Sequence, residues 1–226
     1  MDWHYLRGFR QELSHQLRST GVWRTIYKGC RHAVGSGGSS PLQDEFDKRR
    51  GIFTNRIEPP WMLGLKGPSR AFAVQYQPID AMALTDALAR LGNDWSNASF
   101  LDLGCGKGRA LVVAAEAGFG QVVGVELSEK LVKIARRNLS VLRLGNARVL
   151  HGDALDVEFD TENTVLFMYN PFGVEVMERV KEKIEASQRW PTFIIYFNPL
   201  CSGPLDAMAR YKRIIDEPFI KVWRRQ

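Results

Sequence analysis

Along the second half of the chain, the spacing of apolar and polar residues predicts strands and helices in alternation. The run at 98–104 is short and apolar, as is typical of a buried strand, and 107–118 carries apolar residues at helical spacing. The same order continues through strands predicted at 121–127, 146–153, 163–171 and 191–199. This alternation requires crossover connections, so the pattern predicts an α/β fold with a mostly parallel, doubly wound sheet.

The end of the chain departs from that order. Residues 211–225 contain two strand-like runs on either side of Asp216-Glu217-Pro218, too close together for a helix to lie between them. Two strands joined so tightly must be antiparallel. We therefore expect a terminal hairpin that completes a seven-stranded sheet.

Residues upstream of the sheet divide into two parts. In 1–40, the spacing of Leu6, Phe9, Leu13 and Leu17 predicts a basic amphipathic arm, followed by a Gly/Ser linker. Such an arm either packs on the domain or contacts nucleic acid or a membrane surface. Residues 41–95 are expected to be a lead-in loop and a helix that ends at Gly92, together covering the ligand site, and 96–226 the main domain.

Composition says little about the partners and the location of the protein. A net charge of +6 mildly favours anionic partners. The cysteines, Cys30, Cys105 and Cys201, are far apart and form no metal-binding CxxC pair, so we expect reduced thiols and no metal. With neither a signal-peptide pattern nor an apolar run of membrane-spanning length, the expected location is cytoplasmic.

Three glycines follow the first predicted strand of the main domain. Gly104, Gly106 and Gly108 lie at the carboxyl end of that strand, where ligands bind in open α/β sheets, and Asp102 precedes them. A dinucleotide fingerprint, G-x-G-x-x-G, requires glycine where this chain has Arg109. The pattern D-x-G-x-G-x-G in LDLGCGKGR instead resembles the first motif of class I methyltransferases that use S-adenosylmethionine (SAM).

The resemblance covers 72–226 and implies a SAM site made from several segments. Glu126, at the end of the second strand, would accept the two ribose hydroxyls, and Asp153 would meet the adenine amino group. The segment EFDKRRGIFT also resembles the lead-in of a group of bacterial class I methyltransferases of unassigned substrate. That group often carries Tyr-x-Pro-Thr; here Ile79 replaces the threonine, while Tyr76 is retained and is expected to cover the cofactor.

The acceptor side is expected after the fourth strand, at Asn170-Pro171-Phe172. This tripeptide resembles the [DNS]-P-P-[YFW] site of amino-group methyltransferases, with one proline fewer. By that resemblance Asn170 accepts a hydrogen from the target nitrogen and Phe172 packs on the target. The alternative is an ordinary Asn-Pro turn. A second Asn-Pro, Asn198-Pro199, follows the fifth strand.

These observations predict a SAM-dependent methyltransferase that acts on a nitrogen of a protein side chain or a small molecule. An RNA or DNA methyltransferase is the first alternative, favoured by the basic charge. A nicotinamide-dependent oxidoreductase and a SAM-binding protein without catalysis are further alternatives. Arg109 and the terminal hairpin argue against the oxidoreductase, and the Asn-Pro-Phe tripeptide argues against a non-catalytic role.

Overall fold

The structure is a computed structural model that describes residues 44–64, 75–92, 94–158 and 163–226. The predicted basic arm and linker, 1–40, lie outside the described residues. Leu42–Gln226 forms one compact unit.

The main domain alternates between strands and helices as the sequence pattern predicted. The strands are β1 Ser99–Leu103, β2 Gln121–Glu126, β3 Ala147–His151, β4 Thr164–Tyr169, β5 Phe193–Phe197, β6 Tyr211–Glu217 and β7 Ile220–Arg225. The α-helices are α1 Glu45–Arg50, α2 Ala81–Leu91, α3 Arg109–Glu116, α4 Glu129–Val141, α5 Val174–Ala186 and α6 Gly203–Asp206. Two short 3₁₀ helices lie at Pro60–Met62 and Ala154–Asp156.

All seven strands form one sheet in the order β3-β2-β1-β4-β5-β7-β6. Neighbouring strands from β3 to β5 are parallel, whereas β7 runs antiparallel to both β5 and β6. The predicted fold class, including the terminal hairpin, is confirmed. The order reverses at β1, and the crevice beside that point is where ligands bind in open α/β sheets.

Alternate residues of each central strand enter two separate hydrophobic clusters. Phe100 and Phe167 pack on the face covered by α2, α3 and α4. Leu103 and Met168 pack on the opposite face, with α5 and α6. Both faces of the sheet are therefore buried, which explains why the central strands read as continuous apolar runs.

Short polar residues set where the helices begin. The Asp80 carboxylate accepts hydrogen bonds from Met82 N and Ala83 N at the start of α2, and Gly92 ends that helix in the left-handed conformation. Ser128 accepts from Leu131 N at the start of α4. The first turn of α4 therefore begins directly beside the end of β2.

The lead-in segment contains a helix that the prediction of a mostly irregular 42–80 missed. Helix α1 is six residues long and highly charged, so no apolar period marks it. Asp44 caps it by accepting from Asp47 N at 3.0 Å, and Gly51 ends it with φ of 64°. Helix α6 was also not predicted, because four residues carry no periodic pattern.

Candidate active site

A cavity of about 410 Å³ lies at the carboxyl ends of β1, β2 and β4. Of the residues predicted to form the site, seven line it: Tyr76, Asp102, Gly104, Glu126, Asp153, Pro171 and Phe172. The other three, Gly106, Gly108 and Asn170, lie next to lining residues in the chain. This volume is in the range of small-molecule and cofactor sites.

The glycine turn after β1 requires backbone that only glycine adopts without strain. Gly104, Gly106 and Gly108 have φ of 88°, 55° and 85°. A Cβ on Gly104 would lie 3.0 Å from Pro171 Cβ, and one on Gly106 would collide with the Tyr76 ring. The turn therefore lies tightly between the acceptor side and the lead-in segment.

Glu126 is the last residue of β2, and its carboxylate is nearly buried. Its Oε2 accepts from Gly106 N at 2.9 Å and its Oε1 accepts from Ser128 N at 2.8 Å. Burial raises the pKa of Glu126, and these backbone donors oppose that rise. Each carboxylate oxygen keeps a lone pair, so the group can accept two further hydroxyl hydrogens.

Asp102 lies inside β1 with its side chain facing the cavity and is only 2% exposed. It makes no hydrogen bond or ion pair with any residue that the structure describes. Burial, and then the nearby Glu126 carboxylate, hold the pKa of Asp102 well above its usual range. A buried carboxylate in that position favours a ligand that brings positive charge or hydrogen-bond donors.

Asp153 lies on the far side of the same cavity, directly after β3. Its Oδ1 accepts from Leu155 N at 2.9 Å, which caps the 3₁₀ helix at Ala154–Asp156. His151, two residues earlier, is exposed and bonds Leu127 O through Nε2 at 3.2 Å. His151 does not line the cavity, so it holds the β2 and β3 ends together there.

The predicted acceptor side consists of the ends of the neighbouring strands β4 and β5. Asn170 and Asn198 follow these strands and have φ of 39° and 49°, the left-handed region in which asparagine is favoured among residues other than glycine. Asn170 N donates to Phe197 O at 3.1 Å, which joins the two strand ends. The amide oxygen of Asn170 accepts a long hydrogen bond, 3.5 Å, from the buried Tyr196 hydroxyl.

One face of α5 continues the acceptor side away from the glycine turn. Val176 and Arg179 line the cavity at a spacing of three residues, which places them on the same side of the helix, and Phe172 lines it just before the helix begins. Arg179 is exposed and makes no ion pair with any described side chain. The cavity therefore has buried carboxylates at one end and an aromatic, cationic rim at the other.

Arg109 also lines the cavity, and sequence reasoning did not assign it to the site. Its guanidinium is buried and contacts Asp44 at 2.7 Å, Asp47 at 3.3 Å and Thr54 Oγ1 at 2.7 Å. It also donates to Ile79 O at 3.4 Å. Arg109 thus joins the first turn of α3 to both ends of the lead-in segment. In the sequence, the only feature that draws attention to Arg109 is its position, where a dinucleotide-binding motif would have glycine.

Lys107 forms a second buried connection to the lead-in segment. Its ammonium is 0% exposed and pairs with Glu58 at 3.1 Å, while Glu58 also pairs with the exposed Lys130 at 2.8 Å. The Tyr76 ring lies 4.9 Å from the ammonium, and the Tyr76 hydroxyl donates to Thr54 O at 2.7 Å. These contacts hold Tyr76 over the glycine turn.

Comparison with known proteins decides the family of this site. Residues 100–187 match a family described as "Methyltransferase domain". Residues 100–187 are a class I methyltransferase domain. The family uses SAM, and the cavity fits it, because Asp102 is unpaired, Glu126 retains acceptor capacity, and Gly104 leaves room that a Cβ would fill.

Two curated methyltransferases share part of this domain. The chain is 33% identical over 66 residues to the ribosomal protein L11 methyltransferase of Acetivibrio thermocellus, covering 29% of this chain and 21% of that protein. It is 32% identical over 76 residues to the demethylmenaquinone methyltransferase of Bacillus cereus, covering 33% of this chain and 32% of that protein. The matches span about a fifth to a third of those relatives.

Among solved structures, an RNA methyltransferase from Salinibacter ruber in complex with S-adenosyl-L-homocysteine has the same fold. It is 22% identical, with a TM-score of 0.51, and the match covers 65% of this chain and 91% of that one. At this identity the likeness shows the methyltransferase fold alone. In the parts of the chain that the structure describes, no helix is long and apolar enough to cross a membrane.

Proposed function

We propose that this protein transfers a methyl group from SAM to a neutral nitrogen of its acceptor. The observation that carries the proposal is the contact between the two halves of the site. The Gly104 Cα lies so close to Pro171 that a Cβ would reach to 3.0 Å from the proline ring carbon. The cofactor turn and the acceptor tripeptide therefore share one wall of the cavity.

The charges of the cavity support SAM as the cofactor. Asp102, Glu126 and Asp153 are its acidic lining residues. The cations Arg109 and Arg179 also line it, but Arg109 is neutralised by Asp44 and Asp47. Such a lining suits SAM, which carries an ammonium and a sulfonium, better than a nicotinamide cofactor, whose pyrophosphate adds negative charge.

The reaction needs little from the protein beyond alignment. Bound SAM supplies a methyl group that its sulfonium sulfur already activates. The chain would hold the acceptor nitrogen in line with that methyl, and such positioning supplies several kcal/mol of the barrier reduction. We assign that positioning to the amide oxygen of Asn170 and to packing by Phe172. No step requires a strong base, and the one histidine of the segment 44–226, His151, does not line the cavity.

The acceptor proposed first is an amine or amide nitrogen of a protein side chain or a small molecule. Neutral amides and aromatic rings at the ends of β4 and β5 suit an uncharged polar group. A nucleobase amino group has the same local chemistry, and an arginine-lined groove, described below, favours nucleic acid as a second candidate. The relatives' names divide in the same way, since they mention a ribosomal protein, a demethylmenaquinone and an RNA.

Two measurements test the function. Titration calorimetry with SAM, S-adenosylhomocysteine and NAD should give binding of the first two and none of NAD. Transfer of a tritiated methyl group from SAM into fractionated cell extract should label one chemical fraction. Tight binding of NAD without SAM binding would replace the proposal by the oxidoreductase alternative. SAM binding with no labelled fraction would favour a non-catalytic SAM-binding protein.

A further inference from the structure

A groove lies at the edge of the sheet, between the C-terminal half of α4 and strand β3. Its volume is about 500 Å³, and its polar side chains include Arg136, Arg143 and Arg148. All three arginines are exposed. None of them contributes to the cavity that holds the methyltransferase site.

The charges along this edge are strongly one-sided. Residues 129–151 contain one acidic residue, Glu129, which pairs with Lys133 at 2.7 Å. The basic residues of the same segment are Lys130, Lys133, Arg136, Arg137, Arg143 and Arg148. Lys130 is also paired, with Glu58. No acidic side chain in the described part of the chain pairs with any of the four arginines.

One of the arginines, Arg136, is held in place by a backbone carbonyl. Arg136 donates from Nε at 3.1 Å and from Nη2 at 2.8 Å to Val149 O, an outward carbonyl of the edge strand. Its other N–H groups remain free for a ligand. Arg143 follows α4 with φ of 55°, so the chain turns back there toward β3. Arg148 stands on β3 itself, which is the first strand of the sheet order.

The groove and the active-site cavity both use residues of helix α4. Leu131, in the first turn of that helix, lines the cavity. From Leu131 to Val141, where α4 ends, is ten residues, or about 15 Å of helix at about 1.5 Å per residue. At about 3.4 Å per nucleotide, a strand of roughly four to five nucleotides spans that distance.

We propose that this groove binds the phosphodiester backbone of a nucleic acid. Guanidinium groups match phosphate oxygens in a bidentate way, and several unpaired ones along one edge are the footprint of backbone binding. A bound strand would extend along α4 toward Leu131, the residue of that helix that lines the cavity. For its purpose, which is to bring a nucleobase to the site, the inference rests on the second acceptor candidate of the proposed function, but the binding itself needs no catalysis.

The test measures binding by the full chain with fluorescence anisotropy. The probes are labelled single-stranded RNA and DNA of the same sequence, about 12 nucleotides long, and polyglutamate, at about 50 and 200 mM salt. Arg143→Gln with Arg148→Gln removes two groove cations. Lys212→Gln with Arg224→Gln is the matched control, because these exposed residues are paired across β6 and β7 at the opposite edge of the sheet.

The groove variant should bind the nucleic acid about tenfold more weakly at the lower salt, and its salt slope should fall by about 1.4. The control variant should keep the wild-type affinity. If one of the two nucleic acids binds more tightly, that nucleic acid is the partner. If RNA and DNA bind equally, the groove recognises only the phosphodiester backbone that they share. If Arg143→Gln destabilises the fold, Arg143→Asn retains the left-handed turn and makes the same charge change.

Three results would overturn the proposal: no binding of either nucleic acid, equal losses in the groove and control variants, or polyglutamate bound as tightly as RNA. SAM affinity, measured in parallel, should be the same in every variant. A protein that binds nucleic acid but not SAM would therefore contradict the proposed function and leave the groove assignment standing.

Discussion

Glu126 carries the cofactor assignment at the scale of single residues, because both of its oxygens already face fixed backbone donors. Replacing it with alanine should weaken SAM binding by about 1.5–3 kcal/mol, the scale of hydrogen bonds to a charged group. Titration calorimetry measures the loss. Glu129→Ala is the control, since it removes an exposed carboxylate that pairs with Lys133 and does not line the cavity. Unchanged SAM affinity in a folded Glu126→Ala protein would remove this residue from the site.

Asp102 should make stability depend on pH in the SAM-free protein. Burial and Glu126 raise its pKa above the unfolded value, so its ionisation opposes folding. Stability should therefore fall as the pH rises from about 4 through the raised pKa. Asp102→Asn should remove this decline and be more stable near neutral pH, by about 1 kcal/mol or more, while binding SAM less well.

Denaturant unfolding across the pH range, with and without SAM, measures both effects. Removing the Asp102 charge also removes its repulsion of the Glu126 carboxylate. This further stabilises Asp102→Asn relative to the wild type near neutral pH. If the stability of the wild type and of Asp102→Asn changed with pH in the same way, Asp102 would ionise as easily in the folded chain as in the unfolded one. That result would contradict the prediction.

Asn170 has two roles that one substitution cannot separate. If its amide oxygen positions the acceptor, Asn170→Ala should lower turnover by about 100-fold with little change in SAM affinity. Its φ of 39° is also costly for alanine, so Asn170→Gly serves as the control that keeps the turn and removes the amide. Asn170→Asp keeps an acceptor oxygen and should retain partial activity.

Turnover and SAM affinity of all three Asn170 variants separate these roles. Full activity of Asn170→Gly together with loss of activity in Asn170→Ala would show that Asn170 serves only to form the turn. The search for the acceptor contact would then move to Asn198 at the end of β5.

At the scale of elements, the lead-in segment depends on Arg109 more than on its own sequence. Arg109→Leu would leave Asp47 buried without its cation, which should cost about 3–5 kcal/mol and weaken SAM binding as Ile79 and Tyr76 shift. Arg50→Leu is the control. It breaks the half-exposed pair with Glu116, at 2.7 Å, and should cost about 1 kcal/mol or less. Denaturant unfolding compares the two; equal losses would contradict a central role for Arg109.

The elements divide into those that local pattern predicted and those that it did not. Strands β1, β2, β4 and β5 were predictable because each is buried on both faces, and α4 because Ser128 caps it and Leu131 begins its buried face. Helix α1 has no such pattern. Asp47 stabilises it by accepting from the backbone N–H groups of Thr54 and Asn55, and Arg109 adds a contact 62 residues away. Such long-range polar contacts leave no periodic trace.

The residues of the candidate site also divide into those that a local sequence pattern marks and those that it does not. The sequence could bring Asp102, Glu126 and Asp153 together because each lies at or just after the carboxyl end of a strand, and these ends meet at one edge of the sheet. Lys107 and Arg109 lie within or beside the glycine pattern, but their partners are distant in the sequence, so nothing local shows their burial. The arginine groove escaped notice for a related reason: Arg143 and Arg148 come together only when β3 packs against α4.

At the scale of the whole molecule, the cofactor site is contained in one part of the chain. Every residue that lines the cavity lies between Leu63 and Arg179, and Leu42–Gln226 forms a compact unit. A protein lacking 1–40 should therefore bind SAM as the full chain does. It also loses six basic and two acidic residues, so its affinity for RNA should fall, most strongly at low salt.

Calorimetry with SAM and anisotropy with RNA, both on the shortened protein, check this expectation. Combining the truncation with Arg143→Gln and Arg148→Gln then separates the basic arm from the groove. If the two act independently, their effects on the binding free energy should add. Loss of SAM binding in the shortened protein would mean instead that 1–40 stabilise the cofactor site, and the domain boundary near 40 would be wrong.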